Sequence, residues 1–259
     1  VRLIEELRGI LASEKKLLAL IKKELTEIRE QLAVPRKTTF VACDETPIDE
    51  AEDLTVVEDV TVCICEGLKV RRMPTKVFSL AAISEDKPLF VLETRSNQRI
   101  RIFTDQGALL SLAVEELPET HATTRAANLA SLLPFEKNEK IIALYADDEE
   151  GDYLFYLRDG NIKRTPAAEY RVRVKRTAAV ALRDKDRVLG IEKYEPRSIL
   201  MVTKLGMSIR FAADTIPSMG RVSGGVKCIK LDKGDEVIYA SLVPDEAEVL
   251  TVTDKGFGK

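Results

Sequence analysis

The chain has 259 residues, 40 Lys+Arg against 43 Asp+Glu, one His, four Cys and no Trp. A chain of this size buries roughly 70% of its unfolded surface without a covalent or metal staple. Cys43, Cys63, Cys65 and Cys228 with a single His make neither a disulfide framework nor a zinc site. No apolar run reaches the ~18 residues of a membrane span, and the charged opening Val1–Arg8 is no signal peptide, so a reducing, cytoplasmic setting is expected. Charge is unevenly distributed: residues 151–230 carry 17 basic against 8 acidic side chains, whereas 34–60 carry 2 against 8. A local cation excess of that size attracts a polyanion, although a solvated charged surface has the same composition.

Residues 1–33 read as helix. Leu18, Ile21, Leu25, Ile28 and Leu32 follow a 3-4-3-4 spacing that draws one narrow apolar seam, with Lys22, Lys23, Glu24, Glu27, Arg29 and Glu30 on the wet faces. Leu3, Leu7 and Ile10 extend the seam until Gly9, Ala12 and Ser13 interrupt it, and Ser13 is placed to cap a second helix. So narrow a stripe predicts the end of a coiled coil; the alternative is an amphipathic helix packed on its own domain. Residues 34–54 read as an acidic linker, starting at Pro35 and including Asp44–Asp53.

From residue 55 the period becomes alternating. Short β-rich runs recur at Val60–Cys65, Gln98–Thr104, Tyr153–Leu157, Ile199–Thr203 and Val249–Thr253, each followed within a few residues by Gly67, Gly107, Gly160, Gly206 or Gly256. Intervals of 40 to 53 residues between those glycines signal a propeller-like array of four-stranded blades: about four full repeats and the start of a fifth over residues 55–259. Two units share a further pattern, Val70-Arg71-Arg72-Met73-Pro74 with Phe78, and Ile162-Lys163-Arg164-Thr165-Pro166 with Tyr170. A fourth keeps Ile209-Arg210-Phe211, then Gly220-Arg221, Gly225-Val226 and Gly234-Asp235.

The stretch from Val202-Thr203-Lys204-Leu205-Gly206 through Gly234-Asp235-Glu236-Val237 resembles the C-terminal repeats of the A subunits of bacterial type IIA topoisomerases, DNA gyrase and topoisomerase IV. So does the hairpin Gly160–Pro166. Ile10–Ile28 is similar to the end of the coiled-coil arm of those subunits, and Pro35-Arg36-Lys37-Thr38 to the stretch that joins arm and repeats. The resemblance implies a mainly β fold, a β-pinwheel whose blades exchange strands, round whose basic rim duplex DNA wraps without sequence preference. It also implies two protein partners, a second A subunit together with a topoisomerase B subunit, with ATP and magnesium serving the holoenzyme and no cofactor or catalytic tyrosine in this stretch. The chain reads as a non-catalytic fragment of a longer subunit.

Wrapping needs cations spaced along a curved surface rather than base-edge contacts. The expected DNA-binding set is Arg71, Arg72, Lys163, Arg164, Arg171, Arg173, Lys175, Arg176, Arg210, Arg221 and Lys227, with the hairpin basics exposed at blade edges. Arg171-Val172-Arg173-Val174-Lys175 is expected to be a strand with three cations on one face and two valines packed inward. Arg221 has two readings, a phosphate contact or a turn closure. Gyrase A subunits carry a glutamine, two arginines, two glycines, a lysine and a glycine soon after the aromatic of the first hairpin unit; here Ser79–Lys87 has no arginine, no glycine and two acids. That departure favours a topoisomerase IV-like subunit over a gyrase. A propeller-type protein-interaction scaffold is the rival from another class. His121, the six tyrosines and the run Asp147-Asp148-Glu149-Glu150 carry no catalytic motif and read as loop, strand packing and solvated loop.

Overall fold

The computed structural model of the chain describes residues 2–33, 57–79, 83, 86–121, 124–183, 186–250, 252 and 255–258. The expected linker at 34–54, and Cys43 with it, lies outside them. The chain divides into two units, Val1–Thr55 and Val56–Lys259.

The first unit contains helices α1 (Arg2–Leu11) and α2 (Glu14–Leu32). Gly9 does not interrupt α1; the break falls at Ala12–Ser13. Ser13 takes the N-cap position of α2 with extended backbone angles, but its hydroxyl makes no capping bond, and its carbonyl accepts from the amides of Lys16 and Leu17 instead. Every seam residue from Leu18 to Leu32 is exposed.

The second unit repeats one plan. Its strands are β1 (Asp59–Cys65), β2 (Lys69–Pro74), β3 (Pro88–Arg95), β4 (Arg99–Thr104), β5 (Ala108–Ala113), β6 (Ala127–Asn128), β7 (Ile141–Ala146), β8 (Asp152–Leu157), β9 (Asn161–Pro166), β10 (Arg176–Ala178), β11 (Val188–Lys193), β12 (Ser198–Thr203), β13 (Ser208–Ala212), β14 (Val226–Lys227) and β15 (Val237–Val243). Among the described residues they form three four-stranded sheets, β3-β1-β2-β6, β10-β5-β4-β7 and β11-β8-β9-β14, and one three-stranded sheet, β13-β12-β15, all antiparallel. Each later repeat thus sends its short third strand, β6, β10 or β14, to the second strand of the preceding blade, and brings its last strand home. That is the strand exchange of a pinwheel. The first repeat forms no such strand among its described residues. Of the expected fifth strand the described residues show a bridge between Val252 and Gly258.

The five predicted turn glycines all have φ between 75° and 87°, the left-handed region that a tight hairpin needs and glycine reaches without strain. Gly225 serves the exchange itself: at φ 79° it lies so close to β9 that an added Cβ would stand 2.6 Å from the Ile162 carbonyl oxygen. A side chain there would push β14 off its host strand.

Blades stack face against face. Val62 and Ile64 of the first pack with Ile100, Ile102, Leu110 and Leu112 of the second; Phe103 and Leu109 of the second with Tyr153 and Phe155 of the third; Leu154, Tyr156 and Ile162 of the third with Ile199 and Met201 of the fourth. Phe103 meets Tyr170, Phe155 and Tyr153 edge-on at 5.3, 5.6 and 5.7 Å, an arrangement worth about 0.5–1.5 kcal/mol per pair beyond area burial. The homecoming strands β3, β7, β11 and β15 neighbour one another in succession. They therefore face the axis, and the second strands with their donated partners form the outer edge.

Candidate nucleic-acid interface

Alternation along a strand sorts side chains between two faces. In a stack of blades both faces of an inner sheet meet another sheet, so a cation on such a strand does not automatically reach water. The hairpin basics show this. Arg71, on β2, is 5% exposed; its guanidinium pairs with Asp86 at 2.6 Å and donates to the His121 carbonyl at 2.8 Å. Hydrogen bonds from Arg71 and then Lys69 hold the Asp86 carboxyl below its ordinary range. Arg72, mostly buried, donates to the Val114 carbonyl and lies 4.0 Å from Glu119. Lys163, on β9, is fully buried and donates to Tyr170 Oη at 3.1 Å and to the carbonyls of Ala179, at 2.7 Å, and Arg221. Its ammonium also lies 5.1 Å from the centre of the Phe155 ring. Burial, then the charge of Arg221, pushes its pKa down to about 7, against the pull of Glu169. Arg164 pairs with Asp152 at 2.5 Å and stacks 3.6 Å over Tyr194. These four are not the exposed blade-edge cations expected. Arg210, on the outermost strand of the three-stranded sheet, is exposed as expected and engages Asp245 and two carbonyls.

The connections that cross the outer edge behave differently. After a short 3-10 turn at Ala167–Tyr170, residues 171–175 form an irregular arch, not the expected strand, and only Arg176–Ala178 pairs with β5. Val172 packs partly on the aromatic cluster, while Val174 is 56% exposed. Arg171 and Arg173 are exposed and form no ion pair among the described residues. Lys175 is exposed and 3.0 Å from Glu116. Arg176 is drawn down between Glu136 and Glu139, at 3.0 and 2.9 Å. Burial would raise the Glu139 carboxyl, but bonds from Arg176, the Glu136 amide and Thr104 outweigh it and hold that group below its ordinary range. In the next connection Arg221 closes a turn, its guanidinium donating to Thr177 Oγ1 at 2.7 Å and the Ala178 carbonyl at 2.9 Å. Lys227, on β14, is exposed and forms no ion pair among the described residues.

Some internal partners had no signal in the alternation. Arg101, on β4, has a fully buried side chain and holds Asp147 Oδ1 at 2.7 Å and the Ala167 carbonyl at 3.0 Å. Asp147 belongs to the acidic run expected to be solvated, and Glu149 of that run pairs with Lys193. The one apolar residue on Arg101's own face of the strand is Phe103, two positions on, which lies in the buried cluster between the second and third blades. Tyr153, Tyr156 and Tyr170 are buried, and burial pushes the Tyr153 hydroxyl up to about 12. His121 is exposed on its loop. In the stretch after Phe78, the described residues fold back onto the first blade: Ile83 is buried against Cys63, Cys65 and Met73, and Asp86 pairs with Arg71.

A pinwheel of strand-exchanged, four-stranded blades is the class this architecture defines. The family model "DNA gyrase C-terminal domain, beta-propeller" matches residues 102–146, 158–193 and 197–244, most of the β unit. The chain is 30% identical over 271 residues to the DNA gyrase A subunit of Lawsonia intracellularis, covering 97% of this chain and 33% of that protein. It is 26% identical over 267 residues to the DNA topoisomerase 4 A subunit of Staphylococcus epidermidis, covering 98% and 33%. Among solved structures, the C-terminal domain of DNA topoisomerase IV superposes with a TM-score of 0.70 at 24% identity over 80% of this chain and 68% of that one. The C-terminal domain of E. coli ParC gives 0.63 at 16% over 72% and 80%. The chain belongs to the family of gyrase A and topoisomerase IV A subunits, in their C-terminal pinwheel region, and spans about a third of the length of the curated relatives it matches.

Proposed function

We propose that this chain is the non-catalytic DNA-wrapping region of a type IIA topoisomerase A subunit, bending duplex DNA round its outer edge to present it for ATP-dependent strand passage. The observation that carries this reading is the arch at 171–175, where Arg171, Arg173 and Lys175 stand out from the outer edge of the second blade. Lys227 adds an exposed cation on the outer edge of the third. Such a row neutralises phosphates and reads no bases, so affinity comes from counterion release. The interface is thus narrower than the full set of eleven basic residues: Arg171, Arg173, Lys175 and Lys227 contact phosphate, Arg210 adds an outlying contact, and the buried cations shape the edge from below. The partners are duplex DNA, a second A subunit, and a B subunit, with ATP and magnesium used by the holoenzyme in the cytoplasm.

Within the family the reading is topoisomerase IV-like. The stretch after Phe78, where gyrase A subunits carry their glycine-rich basic box, here places Ile83 in the first blade's outer apolar cluster and Asp86 against Arg71. Neither residue can clamp phosphate.

Fluorescence anisotropy with duplexes of unrelated sequence tests the DNA reading. The chain should bind them about equally, and changing Arg171, Arg173, Lys175 and Lys227 to Gln should weaken all of them alike; unchanged affinity would overturn the assignment. For the subtype, the full-length A subunit with its B subunit should relax and decatenate. Robust negative supercoiling of relaxed plasmid would contradict it.

A further inference from the structure

The two dibasic repeats, Val70–Pro74 and Ile162–Pro166, place their first cation at the same point of the blade plan. Each second strand accepts the next repeat's donated strand at its outer edge, and each of these cations joins two connecting segments there. Lys163 donates to the Ala179 carbonyl, in its own repeat's connection, and to the Arg221 carbonyl, in the connection of the following repeat. Arg71 pairs with Asp86, in its own repeat's connection, and donates to the His121 carbonyl, in that of the following repeat. The same place in the second and fourth blades holds Leu110 and Ile209.

We infer that Lys163 and Arg71 are staples of the outer edge: each ties the connection leaving one repeat to the connection arriving from the next, and so positions the exposed cations without touching DNA. Three further bonds show what the staple at Lys163 holds. The Arg221 guanidinium reaches Thr177 and Ala178 of β10, and the Ala181 amide donates to the Ser223 carbonyl. The segment carrying Arg171, Arg173 and Lys175 is thereby fixed against the one carrying Lys227. Without the ammonium the Arg221 carbonyl loses its donor and the Ala179 carbonyl keeps only the Tyr170 hydroxyl; a main-chain carbonyl left without a donor costs about as much as a lost hydrogen bond, so both segments should loosen while the apolar blade core stays closed.

The role in DNA positioning rests on the function proposed above; the staple itself does not. The test is hydrogen exchange on the whole chain, without DNA, for wild type, Lys163→Met, Lys163→Arg and Arg71→Met. In Lys163→Met, amides of residues 179–183 and 219–229 should exchange about tenfold faster, the change expected for one lost buried hydrogen bond, with amides of β8 unaffected. Lys163→Arg, which keeps donors at that place, should restore part of the protection. Arg71→Met should produce the same local change at residues 120, 121, 124 and 125 alone. Unchanged exchange in those segments would overturn the inference. So would global unfolding of both Met variants, which would make the cations general core residues rather than local staples. A second readout addresses DNA: at saturating Lys163→Met, end-to-end energy transfer on a labelled duplex should report a smaller bend than with wild type, with an unchanged salt slope. If wild type binds no DNA, the functional proposal fails while the exchange result still judges the staple.

Discussion

The cations of the second strands and the cations of the connections are similar side chains in opposite circumstances. Arg71, Lys163 and Arg164 sit between blades or against an acid, each with its hydrogen bonds met inside the protein. Arg171, Arg173 and Lys227 stand on segments that cross the outer edge and have water around them. Buried charges of this kind persist only where partners compensate their desolvation, which is why the first group comes with Asp86, Asp152 or a set of carbonyls. The exposed group keeps its charge available to an external polyanion. In this protein the cations of the inner strands β2 and β9 thus support the fold, whereas Arg171, Arg173 and Lys227, on the segments that cross the outer edge, serve the surface.

The largest break in this comparison should come from Arg101→Met. It leaves Asp147 and the Ala167 carbonyl without their donor, and loss of one partner of a buried pair costs about 3–5 kcal/mol. The urea midpoint should fall accordingly; a loss under about 1 kcal/mol would show that Arg101 is not integral to the second and third blades. An intermediate effect belongs to Lys163 and is read as a pH dependence. Its pKa lies near 7 in the folded chain against an ordinary 10.5, so between those values the unfolded chain binds more protons and stability rises with pH. Wild type should gain stability relative to Lys163→Met from pH 7 to 10, since only wild type holds a buried amine that is neutral in the folded chain while the unfolded chain's lysine is still protonated. Parallel profiles would place Lys163 in a wetter site. The smallest effect on stability is expected for Arg171, Arg173 and Lys175 changed together to Gln, within about 0.5 kcal/mol of wild type as for surface sites generally. A large destabilisation there would erase the distinction between the two groups.

Much of the fold was legible because turn glycines and β-rich runs recur, and hairpin geometry demands a positive φ where Gly67, Gly107, Gly160 and Gly206 stand. The donated strands were not, since β6 and β14 are two residues long and gain their pairing only from the neighbouring blade. The site was half legible. The charge excess at 151–230 pointed to the connections, but alternation treated Lys163 and Arg71 as surface residues because it assumes a sheet with one wet face. It also cast 171–175 as a strand, whereas that segment is the span that lets β10 reach β5 in the preceding blade.

The claim that the exposed cations of the outer edge, and not the buried cations of the inner strands, meet DNA is tested most directly by the slope of log affinity against log salt. Arg171, Arg173 and Lys227 changed together to Gln should flatten that slope by about 0.9 for each phosphate no longer neutralised, whereas Lys163→Met should leave it unchanged. A slope that keeps its wild-type value in the triple variant, or one that flattens in Lys163→Met, would contradict the account.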